Sequence, residues 1–111
     1  MANGIYYKIS YSGNIIGGIY LIRHNKCEME IDTLFISQEY QDKKIGSKAL
    51  SFLENKHTEV KKWTLFTPYK DFRNHHFYEK HNYKKLAEIE PFENDDFKLF
   101  KYEKLNNFSL A

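Results

Sequence analysis

The stretch that decides the fold is Asp32-Thr33-Leu34-Phe35-Ile36-Ser37-Gln38-Glu39-Tyr40-Gln41-Asp42-Lys43-Lys44-Ile45-Gly46-Ser47-Lys48-Ala49-Leu50-Ser51-Phe52-Leu53-Glu54. It reads as the end of an apolar strand, a tight polar loop over Gln41–Gly46, and an amphipathic helix from about Lys44 to His57. Ile45, Ala49, Phe52 and Leu53 recur at helical spacing, with Leu50 close by, while Lys48 and Lys56 point to solvent. The first N–H groups of a helix have no internal acceptor, and the helix dipole places partial positive charge there. A polar loop that opens a helix is therefore suited to holding an anion.

Upstream, three strands are expected in an antiparallel meander. Ile5–Ser12 alternates about Tyr7, Ile9 and Tyr11. Ile15–Arg23 carries Gly17-Gly18, a bulge or a point of close backbone approach. Cys27–Ile36 is the third strand. The turn between the first two uses Gly13 and Asn14, which both tolerate positive φ. Strict alternation in the third strand puts Cys27, Met29, Ile31, Thr33 and Phe35 on one face and Glu28, Glu30, Asp32, Leu34 and Ile36 on the other. Cys27, the only cysteine, is expected as a small buried hydrophobe on that strand. It excludes an internal disulfide and fits a reducing compartment.

Downstream, Val60–Thr67 is a fourth strand with Trp63, Leu65 and Phe66 as its bulk, stopped by Pro68. Strand, helix and strand in this order imply a right-handed crossover and a parallel pair. A short second helix covers Asn74–His81, opened by Asp71 or Arg73-Asn74, with Phe77 inward and Asn82 as a left-handed cap. Tyr83–Ile89 and Asp95–Glu103 close the fold as a hairpin with Pro91–Asp96 as its loop. The tail from Lys104 to Ala111 is expected to be loosely docked. The whole is an α+β (mixed α/β) fold: one domain over residues 1–111, with a mixed, mostly antiparallel sheet of about six strands. The parallel pair lies mid-sheet, and two helices complete the fold. A ligand would lie where the parallel strands part, at their carboxyl ends.

The totals exclude several classes. Seventeen basic and fifteen acidic residues give a net charge of +2, too balanced to argue for nucleic acid. No apolar run approaches the ~20 residues of a membrane span and no signal-peptide pattern opens the chain, so a cytoplasmic protein is expected. His75 and His76 diverge by about 100° on a helix and His81 is not four residues from either, so no metal site is expected.

The loop and the segment Asn74-His75-His76-Phe77-Tyr78-Glu79-Lys80-His81-Asn82-Tyr83 together resemble the GNAT (Gnat-type N-acetyltransferase) superfamily. Leu34-Phe35-Ile36 followed by Gln41-Asp42-Lys43-Lys44-Ile45-Gly46 resembles its motif A, Gln/Arg-x-x-Gly-x-Gly/Ala. The later segment resembles its second signature, an Asn followed by Phe-Tyr-Glu-Lys-x-Gly-Phe. The resemblance covers roughly Ile5 to Glu103 and departs in three places. Lys44 replaces the first motif glycine and would fit with a negative φ, its ammonium either reaching a phosphate or crowding it. Asn82 stands for a glycine. Few residues precede the first strand, so the acceptor side should be open or closed by a partner subunit, as in a homodimer.

The resemblance implies an acyl-CoA-dependent N-acyltransferase with acetyl-CoA as donor and a small-molecule or peptide amine as acceptor. It implies that Gln41, Asp42, Lys43, Lys44, Ile45, Gly46 and Ser47 receive the diphosphate. Leu34, Phe35 and Ile36 would pair with the pantetheine arm and offer N–H groups to the oxyanion. Asn74 would lie near that arm or cap the helix. It implies Glu30 as general base, with Glu28 and Asp32 as alternatives, and Tyr78 as the acid for the departing thiolate. The alternative is a CoA-binding module of the same fold that does not turn over, or a regulatory subunit.

Overall fold

The computed structural model describes residues 4–93 and 96–106, the side chain of Asp42 excepted. Strands β1 (Gly4–Tyr11), β2 (Asn14–Asn25) and β3 (Glu28–Ile36) form the expected antiparallel meander. The first turn differs in detail. Ser12 (φ 51°) and Gly13 (φ 84°) are the left-handed pair, and Asn14 already stands in β2 opposite Tyr11. Two successive positive φ values give a turn whose twist matches that of the strands. Cys27 is a correction: it is exposed, in the turn before β3, where its N–H is held by the Asn25 Oδ1 at 2.9 Å.

Gly17-Gly18 serves both expected purposes. The β1–β2 register slips beside it, from Ile9 opposite Gly17 to Ser10 opposite Ile15, leaving Ile16 as the extra residue. A Cβ on Gly17 would collide with the Phe35 carbonyl oxygen, and one on Gly18 would lie 2.6 Å from the Tyr6 hydroxyl.

A second slip corrects the simple alternation of β3. Tyr20 pairs with Thr33 but Leu21 pairs with Ile31, so Asp32 is the extra residue of a bulge. A one-residue insertion flips every later side chain to the other face. Met29, Ile31 and Leu34 consequently join one core, while Glu28 and Glu30 share the opposite face with Thr33 and Phe35.

β4 (Lys62–Pro68) runs parallel to β3, as the crossover requires. β6 (Leu99–Leu105) inserts between β4 and β5 (Lys84–Ile89), giving the order β1-β2-β3-β4-β6-β5. The expected start of the last strand at Asp95 lies outside the described residues, as does the tail beyond 106. Lys104 and Leu105, expected in the tail, belong to β6, and the Lys104 ammonium meets Glu54 at 2.9 Å.

Helix α1 (Ile45–Lys56) follows a 3₁₀ segment over Gln38–Lys43, so it starts after Lys44. Helix α2 (Phe72–Lys80) starts earlier than the expected Asn74. Its N-cap is Asp71, whose carboxylate accepts from the Asn74 N–H at 3.2 Å and the Asn74 amide at 2.9 Å. Asn82 ends the helix region with φ 72°.

Both helices cover one sheet face. Leu65 is opposite Tyr102 and Trp63 opposite Lys104. The Tyr102 hydroxyl donates to Glu79 of α2, and Lys104 reaches Glu54 of α1. Ala49, Leu50 and Leu53 of α1 are buried over Trp63, Leu65, Ile31 and Met29. Phe52 is not: it stands 45% exposed, turned toward β1, where it meets the Tyr7 ring edge-on at 5.2 Å. Among the described residues no helix covers the other face, where Tyr6, Phe35 and Phe66 are exposed. None is long and apolar enough to cross a membrane.

Candidate functional site

The bulge at Asp32 opens the sheet. Pairing between β3 and β4 runs from Glu28–Lys62 to Ile31–Leu65 and stops there. Beyond it, Thr33–Ile36 pairs with β2 alone, and Phe66–Pro68 with β6 alone. The two parallel strands thus part at their carboxyl ends, each presenting an unpaired edge to the gap.

A cleft of about 600 Å³ lies at this gap, between the N-terminal turn of α1 and the face of α2. It is lined by Leu34, Phe35 and Ile36 from β3, by Gln41, Lys44, Gly46 and Ser47 from the loop, and by Asn74 and Tyr78 from α2. The structure therefore brings together nine of the residues singled out in the sequence. Two residues of the loop stay out of it: Lys43 and Ile45 face a separate groove on the far side of α1. Glu30, Glu28 and Asp32 do not line the cleft either. The Asp42 side chain lies outside the described residues. Asp71, Arg73, Phe77 and Lys80 also line the cleft and were not assigned to the site from sequence. The signal was present, since Arg73, Phe77 and Lys80 fall at i, i+4 and i+7, on the face shared by Asn74 and Tyr78.

Local chemistry holds the loop in place. The Gln41 side chain donates to the Ile36 carbonyl at 2.9 Å, and the Ser37 N–H donates to the carbonyl of the bulged Ile16 at 2.7 Å. Lys44 joins the 3₁₀ segment to α1 in the left-handed region, φ 60° and ψ 21°. This corrects the expected negative φ and explains on local grounds why glycine suits the position. The Lys48 N–H is the first to bond back, to the Lys44 carbonyl at 3.1 Å. The N–H groups of Ile45, Gly46 and Ser47 precede it and have no acceptor within the helix. Gly46 permits close approach of the helices: a Cβ there would lie 3.0 Å from Phe77 Cζ. Ser47 Oγ is 2.8 Å from His81 Nε2, tying α1 to the end of α2.

Tyr78 is buried, packed edge-on against Phe77 and Tyr83. Burial raises the pKa of its phenol well above the usual tyrosine value, and the Asp71 carboxylate adds to the rise. It is therefore a neutral hydrogen-bond donor throughout the physiological range. Glu30 lies elsewhere, on the open sheet face beside Thr64 and Ile22, with its carboxylate 2.8 Å from His24 Nε2. Asp32 is exposed at the bulge and accepts from the Thr33 hydroxyl at 2.9 Å. Glu28 sits farther back, opposite Lys62. Among the described residues no group of three His, Cys, Asp or Glu is placed to hold a metal ion.

A family model described as an acetyltransferase (GNAT) domain matches residues 2–85. The chain belongs to this family. Solved structures of the GNAT fold superpose on nearly the whole chain. One is a GNAT family acetyltransferase from Elizabethkingia anophelis with acetyl-CoA bound: TM-score 0.82, 19% identity, 94% of this chain and 77% of that one. Another is an aminoglycoside 6'-N-acetyltransferase complexed with coenzyme A: TM-score 0.79, 16% identity, 93% and 73% coverage. A third is an IAA acetyltransferase from Bacillus cereus: TM-score 0.78, 19% identity, 94% and 79% coverage. At these identities the likeness is one of fold. No curated protein matches the chain by sequence. The GNAT assignment and the parted strands agree with the expected α+β fold with one parallel pair and two helices.

Proposed function

We propose that this GNAT domain binds acetyl-CoA in the cleft between α1 and α2 and transfers its acetyl group to a primary amine. The observation that carries the reading is the coincidence at one cleft of three parts: a helix N-terminus, a parted parallel pair and a buried tyrosine. The bound thioester supplies an activated acetyl group. The N–H groups of Ile45, Gly46 and Ser47 receive diphosphate oxygens, and the cationic side chains of Lys44, Arg73 and Lys80 favour the same anion. The unpaired edges of Thr33–Ile36 and Phe66–Pro68 offer main-chain groups to an extended amide arm, in the manner of an added strand. N–H groups near Leu34–Ile36 stabilise the oxyanion as the amine nitrogen attacks.

Glu30, oriented by His24, takes the ammonium proton through water from the open sheet face; an acceptor approaching from that face keeps clear of both helices. As the C–S bond breaks, Tyr78 donates its hydrogen bond to the sulfur. A thiol has a pKa of about 8.5, so a phenol raised above 10 is the weaker acid, and full transfer to the thiolate is uphill by about 1.4 kcal/mol per unit. Tyr78 thus acts first by stabilising charge on sulfur, and the departing thiolate takes, through water, the proton that the attacking nitrogen loses as the amide forms. The deciding experiment follows free thiol from acetyl-CoA across a panel of amines, beside CoA binding by thermal shift. Amine-dependent release supports the transferase. Tight CoA binding with no release for any acceptor would overturn it in favour of a binding module.

A further inference from the structure

The second cavity flanks α1 on the side away from the cleft. It is a groove of about 520 Å³ between α1 and strands β1 and β2. Ile9, Ile19, Ile45 and Phe52 give it apolar walls. The Tyr7 hydroxyl on its wall is already satisfied, 2.8 Å from His57 Nε2. Three lysines line it, Lys8, Lys43 and Lys48, and no carboxylate does among the described residues. Lysine stems extend the apolar wall while their ammonium groups stay in water at the rim. The volume lies within the range of small-molecule sites.

The geometry points to a second ligand site here, for a small molecule with an alkyl body and one carboxylate, of the fatty-acid class. The alkyl chain replaces water over the isoleucine and phenylalanine walls, and the carboxylate pairs with the lysines at the rim. A neutral or cationic head lacks that pairing. The groove also shares a wall with the cleft. Between Lys43 and Lys48 the chain serves both sides: Lys43, Ile45 and Lys48 face the groove, whereas Lys44, Gly46 and Ser47 face the cleft. An occupant that fixes the first set restricts the second, so the two sites are coupled through the N-terminal turn of α1. The coupling rests on the proposed CoA site; binding in the groove does not.

Calorimetric titration of the whole chain with decanoate, decanol and decylamine tests the site. Decanoate should bind saturably below its micellar range, with decanol weaker by about tenfold and decylamine weaker again. Combining Lys8→Glu with Lys48→Glu should erase that order, and Phe52→Ser should weaken all three probes alike. Equal affinity for decanol and decanoate, or undiminished decanoate binding by the double variant, would overturn the site. Saturating decanoate should shift the CoA dissociation constant at least about threefold, and CoA should shift that of decanoate by the same factor. An unchanged constant would refute the coupling. Failure of CoA to bind at all would refute the proposed function instead, leaving the decanoate comparison intact.

Discussion

Lys44→Gly separates two roles of one residue, because stability and cofactor affinity should move in opposite directions. Lys44 holds φ 60° and ψ 21° at the junction that aims α1 at the cleft. A non-glycine residue pays about 1–2 kcal/mol to sit in the left-handed region. Glycine removes that strain but raises the entropy of the unfolded chain, which costs about 0.4–1 kcal/mol. The net gain is about 0.5–1 kcal/mol, or about 3–6 °C in melting temperature for a domain near 100 residues. The same change deletes an ammonium that lines the cleft. Lys44 is exposed, so its attraction for a diphosphate is that of a solvated pair, about 1 kcal/mol or less. That is a loss of at most about fivefold in CoA affinity.

The assay is a thermal melt without ligand, then CoA titration of both proteins at low salt and at about 1 M salt, where the screening length is about 3 Å. The variant should melt higher, bind CoA more weakly at low salt, and match the parent at high salt. A melting temperature no higher than the parent's would refute the strain argument. Tighter CoA binding at low salt would show that Lys44 crowds the diphosphate.

Three further outcomes follow from the same geometry. Tyr78→Phe keeps the buried ring and removes only the donor, so kcat should fall by about 10² with little change in the acetyl-CoA KM; unchanged turnover in steady-state assays would remove Tyr78 from the chemistry. Asp71→Ala removes the N-cap of α2 and should lower the urea midpoint by about 1 kcal/mol of stability at constant m. Burial, which outweighs the pull of Glu59, lowers the pKa of His57 below its usual value. The folded state therefore binds fewer protons than the unfolded one below about pH 6.5, so His57 contributes stability that is complete above that pH and is lost on acidification. His57→Gln should flatten the fall in stability that urea melts record between about pH 7.5 and 5.5.

What was legible in the sequence was periodic or motif-bound. The helical spacing of Ala49, Leu50 and Leu53, the strand–helix–strand order and the paired signatures gave the sheet, its parallel pair and most of the cleft. The cap of α2 was within reach as well, because Asp71 precedes Asn74 by the three residues that let a carboxylate reach back to an N–H. The misplacements share a cause: each depends on register, which residue types do not encode. Asp32 carries no mark of a bulge, and Ile16 is a good strand former in an unpaired position. Cys27 has the polarity of a core residue but lies at a turn, where the Asn25 side chain and the Lys61 and Lys62 amides claim its backbone. Lys43 ends the 3₁₀ segment and Ile45 opens α1, and with the left-handed Lys44 between them both lie on the opposite flank of α1 from the cleft.

The bulge has the largest consequence for chemistry. In an unbroken strand Glu30 and Leu34, four residues apart, would share a face. Base and apolar strand end would then both lie either under the helices or in the open. The extra residue at Asp32 separates them: Leu34 turns to the helix side, where the cleft lies, and Glu30 stays on the uncovered face. It also ends the β3–β4 ladder at Ile31–Leu65, so the gap between the two faces opens at the same point. In the proposed reaction the donor is held from one side of the sheet and the amine arrives from the other, meeting in that gap. Deleting Asp32 leaves Glu30 and Leu34 three residues apart, so Leu34 and Ile36 stay on the helix side. It removes the bulge at which the β3–β4 ladder ends, however, so the ladder should extend past Ile31–Leu65 and close the gap. CoA affinity and turnover should then fall together, even where circular dichroism reports the strands intact. A deletion variant that still folds and binds CoA as tightly as the parent would break the link between bulge and cleft.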